Sequence, residues 1–231
     1  MQPIPSNLTL YVYGFPVFLL FAWRAYSNYR RLHNPLSAYF AWSGLSAGLA
    51  FFFWGVPFAF SSQEIVWQVT SMIGDFWLYV MLVIQASLVY YLTLRNKISQ
   101  KLVLTPVIAL ALAGFASHVY GYLHYGVSIT DDKFEYTLPL FASIAQSILI
   151  VNVLLVGILL LSKLKEQSTG RSRGSLIGVA FLYLLSGIAG LINVVFSGTS
   201  NDSPLIIGGY IFGFVVFVGA LVVIRFRKSS K

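Results

Sequence analysis

The residue with the clearest potential for chemistry is Asp75, inside the apolar run SMIGDFWLYVMLVIQASLVYYL. A carboxylate at the centre of a bilayer costs about 2.5–3.5 kcal/mol on insertion scales. Ionisable side chains in such segments therefore face a bundle interior or a polar cavity, and many of them serve function. Asp75 thus predicts a polar centre within an otherwise apolar element.

Other polar side chains fall at the same depth on neighbouring apolar segments. Asp75 lies ten residues from the end of its segment that is predicted to face outside the cell, which corresponds to roughly 15 Å along a helix. His118 is seven residues in, or roughly 10 Å. Consecutive segments tend to be neighbours, so the two side chains can pair. The residues predicted to line an outward-opening pocket are Trp54, Asp75, Tyr79, His118, Gln146, Asn193 and Tyr210.

Two alternatives to a pocket stay open for Asp75. Its carboxyl group could hydrogen-bond a tyrosine or a backbone group and only lock helix packing, or it could form a simple water-exposed outer site. If Asp75 and His118 do pair, the pair should respond to pH near the ordinary pKa of histidine, about 6.5.

Membrane-spanning helices are the elements that would position these residues. The chain is 58% hydrophobic and 10% charged, whereas a soluble domain is about 25% charged. Its apolar runs are continuous and reach the ~20 residues of a spanning helix, which is too long for barrel strands. We predict an all-α, polytopic membrane protein, a seven-transmembrane-helix bundle forming one domain over residues 1–231. The predicted helices are about 8–26, 36–60, 65–94, 102–125, 137–162, 175–197 and 204–226.

The basic residues predict how the bundle is oriented. Fourteen of the 15 Lys and Arg residues flank the first, third and fifth loops or lie in the C-terminal tail, and only Lys133 is on the other side. Because basic loops stay cytoplasmic, we expect the N-terminus outside and the C-terminus in the cytoplasm, in a prokaryotic cell (inner) membrane. The net charge of +8 then reflects topology. The short loops leave no room for a nucleic-acid-binding or catalytic module, so we expect neither nucleic-acid binding nor enzymatic activity.

The sequence disfavours the usual metal and chromophore sites. There is no cysteine. His118 and His124 are six residues apart on one predicted helix and do not share a face, and His33 lies on the opposite side of the membrane. The seventh segment, LIIGGYIFGFVVFVGALVVIR, contains no lysine, so no Schiff base with covalently bound retinal can form. We expect no metal site, and the cofactor is unknown.

Small residues and aromatic residues suggest how the helices pack. Small residues at four-residue spacing let helix backbones approach closely in lipid, which predicts tight packing of helices two, six and seven. Aromatic residues near the outer ends suggest an interfacial belt. The small-residue pairs are Gly44 and Gly48, Ser186 and Gly190, and Gly209 and Gly213; the aromatic residues, most of which a belt would explain, are Trp67, Trp77, Tyr120, Tyr122 and Tyr125.

The overall pattern resembles the seven-helix N-terminal sensory region of bacterial histidine kinases. The similar features are the basic turn RAYSNYRRLHNP after helix one, the tryptophan towards the end of helix two, and the basic exit VIRFRK from helix seven. In that family a cytoplasmic kinase or cyclase follows the helices. With none after Lys231, the resemblance implies a sensory module that signals through a partner protein.

Three function classes remain open. The first is a multi-pass membrane sensory or ligand-binding module with an outward-facing polar pocket for a small molecule. The second is a structural or accessory subunit of a larger membrane complex, associated with pigments or lipids. The third is a small-molecule transporter, for which Gln85 and Asn152 near the midplane are the indication. The expected partners are the lipid bilayer and either other membrane proteins or further copies of this chain.

The predicted orientation can be tested by cysteine labelling, because the wild-type chain has no cysteine and gives no background. In cells carrying Ser99→Cys, we expect a membrane-impermeant thiol reagent to label the protein only after the membrane is opened, since residues 95–101 are predicted to be cytoplasmic. Labelling of intact cells would overturn the orientation.

Overall fold

A computed structural model describes residues 9–60, 63–130, 133–136, 138–163 and 170–196 of this chain. The described residues form six long α-helices, one short 3-10 helix and one two-stranded hairpin. The α-helices are α1 (Thr9–Leu32), α2 (Pro35–Gly55), α3 (Glu64–Thr93), α4 (Gln100–Tyr125), α5 (Leu140–Ser162) and α6 (Gly170–Phe196). The 3-10 helix is Val56–Ala59, and the strands are β1 (Val127–Thr130) and β2 (Lys133–Tyr136).

Five of these helices are long and apolar enough to cross a membrane: α2, α3, α4, α5, and Leu176–Val195 within α6. Large apolar side chains such as Leu112 and Ile148 remain 62% and 52% exposed, as contact with lipid tails requires. The helical class and the presence of membrane-length apolar helices are therefore confirmed. The seventh predicted helix, 204–226, lies outside the described residues, so the seven-helix count stays a prediction.

Helix α1 has the length of a span but is less apolar than the other five. It ends at Leu32, six residues beyond the predicted end at 26. Arg30 and Arg31 occupy its last turn, where cations complement the negative end of the helix dipole. These residues therefore extend the helix instead of forming the loop that the sequence suggested.

The connection between α1 and α2 is a two-residue turn. His33 adopts a left-handed φ of 49°, which reverses the chain. The Asn34 side chain accepts a hydrogen bond from the backbone N–H of Leu36 at 3.1 Å, and Pro35 occupies the first helical position. This arrangement is favourable at a helix start, since asparagine caps a free donor and proline has none to lose.

The outer ends of two helices differ from the prediction. Helix α2 ends at Gly55, not at 60, and a 3-10 helix containing Pro57 follows it. Proline lacks the backbone donor that a continuing α-helix needs. Helix α5 begins at Leu140, not at 137, with Pro139 at its N-cap.

An antiparallel hairpin connects α4 and α5 where the sequence suggested only a loop. Gly126, with a φ of 73°, ends α4, and Val127 then pairs with Tyr136. This hairpin is the departure from an all-α fold among the described residues.

Helix α3 is central to the described bundle. It packs against α2, α4 and α5, whereas α1 packs on α2 and α6 packs on α5. Leu82 and Leu88 of α3 are completely buried. A polar residue on α3 can therefore meet side chains from several helices at once.

Two of the three predicted small-residue contacts are confirmed. A Cβ atom at Gly44 would lie 2.8 Å from Phe21, and one at Gly48 would lie 2.8 Å from Leu19, so both glycines hold α2 close to α1. On α6, a Cβ at Gly190 would lie 3.3 Å from Ile150 of α5. The third pair, on helix seven, lies outside the described residues.

Replacing Gly44 or Gly48 with leucine should separate α1 from α2. We expect either variant to lower the free energy of unfolding by about 1–3 kcal/mol, because an overpacked contact must shift backbone or side chains. Thermal unfolding in detergent measures the change. Ala113→Leu, at an exposed position of α4, is the matched control and should behave as wild type. Wild-type stability of both glycine variants would contradict the packing role.

Candidate functional site

The carboxyl group of Asp75 lies inside the bundle. Asp75 is only 2% exposed, and the indole Nε1 of Trp54 on α2 donates a hydrogen bond to its Oδ1 at 3.2 Å. The side chain of Tyr122 on α4 also hydrogen-bonds this carboxyl group. Asp75 therefore meets polar partners from the helices on both sides of α3, and it does not face lipid.

His118 of α4 lies beside the same carboxyl group. Its Nδ1 is 3.8 Å from Oδ2 of Asp75, and both side chains are almost fully buried. The imidazole ring also packs against Tyr79, with ring centroids 5.6 Å apart, and against Tyr122, at 6.4 Å. A shift of a few tenths of an ångström would bring the two side chains into hydrogen-bond range. We call Trp54, Asp75, His118 and Tyr122 the Asp75 centre.

Glycine at position 74 is what allows the indole of Trp54 to reach Asp75. A Cβ atom at Gly74 would overlap the Trp54 ring, so the missing side chain lets the indole lie directly on α3. Aromatic rings of α1 and α2 also pack near Trp54. Its ring centroid is 5.2 Å from that of Tyr11 and 6.0 Å from that of Phe51.

Tyr79 and Gln146 extend the polar region towards α5. Tyr79 is 3% and Gln146 8% exposed. A Cβ at Gly114 would lie 2.8 Å from the Tyr79 hydroxyl and 2.9 Å from Cβ of Ala145, so this hydroxyl lies where α4 and α5 meet. The Tyr79 hydroxyl and Gln146 Oε1 are buried without a hydrogen-bond partner among the described residues.

One described member of the predicted pocket, Asn193, is not part of this arrangement. Asn193 of α6 is exposed, so its amide lies outside the buried centre. Depth along a helix does not determine which face of the helix a residue occupies. Tyr210 lies outside the described residues. Trp54, Asp75, Tyr79, His118 and Gln146 all occupy the buried or half-buried interior.

Tyr122 is one of the aromatic residues near the predicted outer ends, but it is buried and does not belong to an interfacial belt. Tyr122 is 2% exposed and hydrogen-bonds Asp75, and its backbone carbonyl accepts a hydrogen bond from Gln68 Nε2. The available signal was spacing, because Tyr122 follows His118 by four residues and thus shares its helix face. Trp67 is also buried, at 7%, whereas Tyr120 and Tyr125 are more than half exposed, as a belt requires.

The centre offers acid–base and hydrogen-bonding chemistry. A carboxyl group and an imidazole this close can share or exchange a proton, and the neighbouring indole and phenol can each donate a hydrogen bond. Among the described residues, no three His, Cys, Asp or Glu side chains come together as a metal ion would need.

Comparison with known proteins gives no family for the chain: no protein-family model matches it, and no curated protein shows significant similarity to it.

The Trp54–Asp75 hydrogen bond should contribute measurably to stability. Trp54→Phe keeps an aromatic ring and removes the donor, so a buried acceptor loses a partner. We expect the free energy of unfolding to fall by about 1–3 kcal/mol, measured by thermal unfolding in detergent. Trp42→Phe, on the same helix and 61% exposed, is the control and should change stability much less. Equal effects of the two substitutions would argue against a structural role for the hydrogen bond.

Proposed function

We propose that this protein is a multi-pass membrane sensory module whose Asp75 centre changes protonation and thereby changes how α2, α3 and α4 pack. The observation that carries the proposal is the buried Asp75–His118 pair, 3.8 Å apart, with Trp54 of α2 hydrogen-bonded to the same carboxyl group. Three helices thus share one ionisable site. A partner protein in the membrane or on the cytoplasmic face receives the change, because the described residues form only helices and one short hairpin.

A buried charge at this site is energetically sensitive to its surroundings. Taking a charged side chain out of water costs several kcal/mol unless partners compensate for it. A proton gained or lost at Asp75 or His118 therefore changes the energy of the packing that surrounds them. A signal shifts a conformational equilibrium only as far as it interacts differently with the two conformations, and a buried ionisable pair provides such a difference.

In the described part of the chain, few ionisable groups lie around Asp75. Helix α1 provides Tyr11, α3 itself provides Tyr79, and α4 provides His118 and Tyr122. Helix α2 provides the non-ionisable Trp54, and α5 carries no ionisable side chain between Leu140 and Ser162. Near neutral pH, tyrosines keep their protons, so the response belongs to the carboxyl–imidazole pair.

Trp54 is the group best positioned to couple the pair to the outer surface. It is half-buried and lies one residue before the end of α2, where the 3-10 helix begins. Asp75 is eleven residues from the start of α3, or roughly 16 Å along its axis. Movement of the indole would open the carboxyl group towards the outer end, which gives the proposed outward-facing pocket its entrance.

The small-residue contacts favour this proposal over an accessory subunit of a larger complex. Gly44 and Gly48 are covered by α1, and Gly190 is covered by α5. These contacts are used within the chain, so they do not indicate binding surfaces for other proteins.

The proposal can be tested by measuring helix positions as a function of pH. Spin labels would be placed at two exposed outer positions, Phe60→Cys and Leu123→Cys, which are 77% and 70% exposed. In wild-type background we expect the distance between labels to shift by on the order of 1–2 Å between about pH 5 and about pH 8. Pulsed electron paramagnetic resonance in lipid nanodiscs gives the distance.

Two variants assign the shift to the centre. Asp75→Asn keeps the shape but cannot ionise, so it should abolish the shift. Glu64→Gln removes an exposed carboxylate at the start of α3 and should leave the shift unchanged. The proposal fails if the wild-type background shows no shift, or if the shift persists in folded Asp75→Asn.

A further inference from the structure

A second polar cluster lies further along α3, away from the Asp75 centre. Gln85 is ten residues beyond Asp75, or roughly 15 Å along the helix axis. Its side-chain Nε2 donates to Ser43 Oγ on α2 and to the Tyr183 hydroxyl on α6 at 3.4 Å. The Tyr183 hydroxyl donates to Ser43 Oγ at 3.3 Å. The cluster therefore connects α2, α3 and α6, and it is independent of the proposed sensory site.

A cavity of about 40 Å³ adjoins this cluster. Its polar lining comes from Ser43, Gln85, Tyr183 and Ser186, and Phe21 and Met81 are among its apolar lining residues. None of the described side chains that line it carries a charge. Roughly 10–15 Å³ of such cavity volume is enough for one water molecule, so this cavity has room for a few.

Gln85 presents an unused hydrogen-bonding atom at this cavity. The residue is 1% exposed, and its Oε1 has no hydrogen-bond partner among the described residues. Reversing the side-chain amide would exchange Oε1 and Nε2, and one polar atom of Gln85 would still have no hydrogen-bond partner. A buried acceptor without a partner is unfavourable, so the site favours a guest that can donate a hydrogen bond.

We propose that this cavity is a binding site for ordered water, held by Gln85 Oε1 and the hydroxyl groups of Ser43, Tyr183 and Ser186. Water matches the size of the cavity and supplies the missing donor. A buried water typically makes two to four hydrogen bonds, and the lining offers that number. An ion would meet no compensating charge here, and an apolar guest would leave Oε1 unsatisfied.

Xenon provides a direct test on the unmodified protein. Dry apolar cavities bind xenon, whereas a hydrated polar cavity does not. An experimental structure of wild-type protein should show ordered solvent within 3.5 Å of Gln85 Oε1, and a xenon-pressurised sample should show no xenon there. An empty cavity, or xenon in it, would overturn the proposal.

A double-mutant cycle tests the same inference in solution. Ala47 lines the cavity, so Ala47→Val would displace water and leave Oε1 without a donor. Gln85→Met is similar in shape and has no oxygen to leave unsatisfied. We expect Ala47→Val to lower the melting temperature of wild-type protein by several degrees and to lower that of the Gln85→Met variant clearly less.

The cycle has two outcomes that contradict a bound water. If Ala47→Val raises the melting temperature of the wild-type protein, the cavity was an empty void that the larger side chain fills. If Ala47→Val has the same effect in both backgrounds, the two sites are not coupled and no water connects them.

Discussion

The part of the described bundle around Asp75 depends on how it accommodates one carboxyl group in an apolar interior. Asp75 is tolerated because Trp54 donates a hydrogen bond to it and Tyr122 supplies another. The indole can reach it only because position 74 is glycine, and the ring of Tyr11 packs near the indole. One buried polar group thus accounts for the contacts of α1, α2 and α4 at that level, since an uncompensated carboxylate there would be very unfavourable.

Helix α3 carries two polar layers of different character. One layer contains the ionisable Asp75, whereas the layer around Gln85 is neutral and consists of amide and hydroxyl groups. Leu82, completely buried, lies between them along the helix. Neutral hydrogen bonds fix helix positions at little electrostatic cost, so the layer around Gln85 can hold α2, α3 and α6 together without an ionisable group.

The sequence predicted well how deep each polar residue lies along its helix and which segments form long apolar helices. It predicted less well which face of a helix each residue occupies. Counting residues from the helix ends put Asp75 and His118 at one level, and the structure places them 3.8 Å apart. The same counting included Asn193, which is exposed, and left out Tyr122, which is buried. The level of a residue along the bundle follows from the helical rise of 1.5 Å per residue. Whether that residue faces the interior depends on how neighbouring helices rotate and pack. The hairpin after Gly126 was not predicted, because its strands are only four residues long and alternation of apolar and polar residues over so short a run is a weak signal.

The short turn at His33 and Asn34 has a consequence for how the chain is made. Helix α1 is the least apolar of the long helices and carries Arg24 within it, so on its own it would partition weakly into lipid. The turn leaves it no freedom to separate from α2, and Gly44 and Gly48 give the two helices a close fit. During synthesis, α1 and α2 would therefore enter the bilayer together as one helical hairpin, with the more apolar second helix carrying the first.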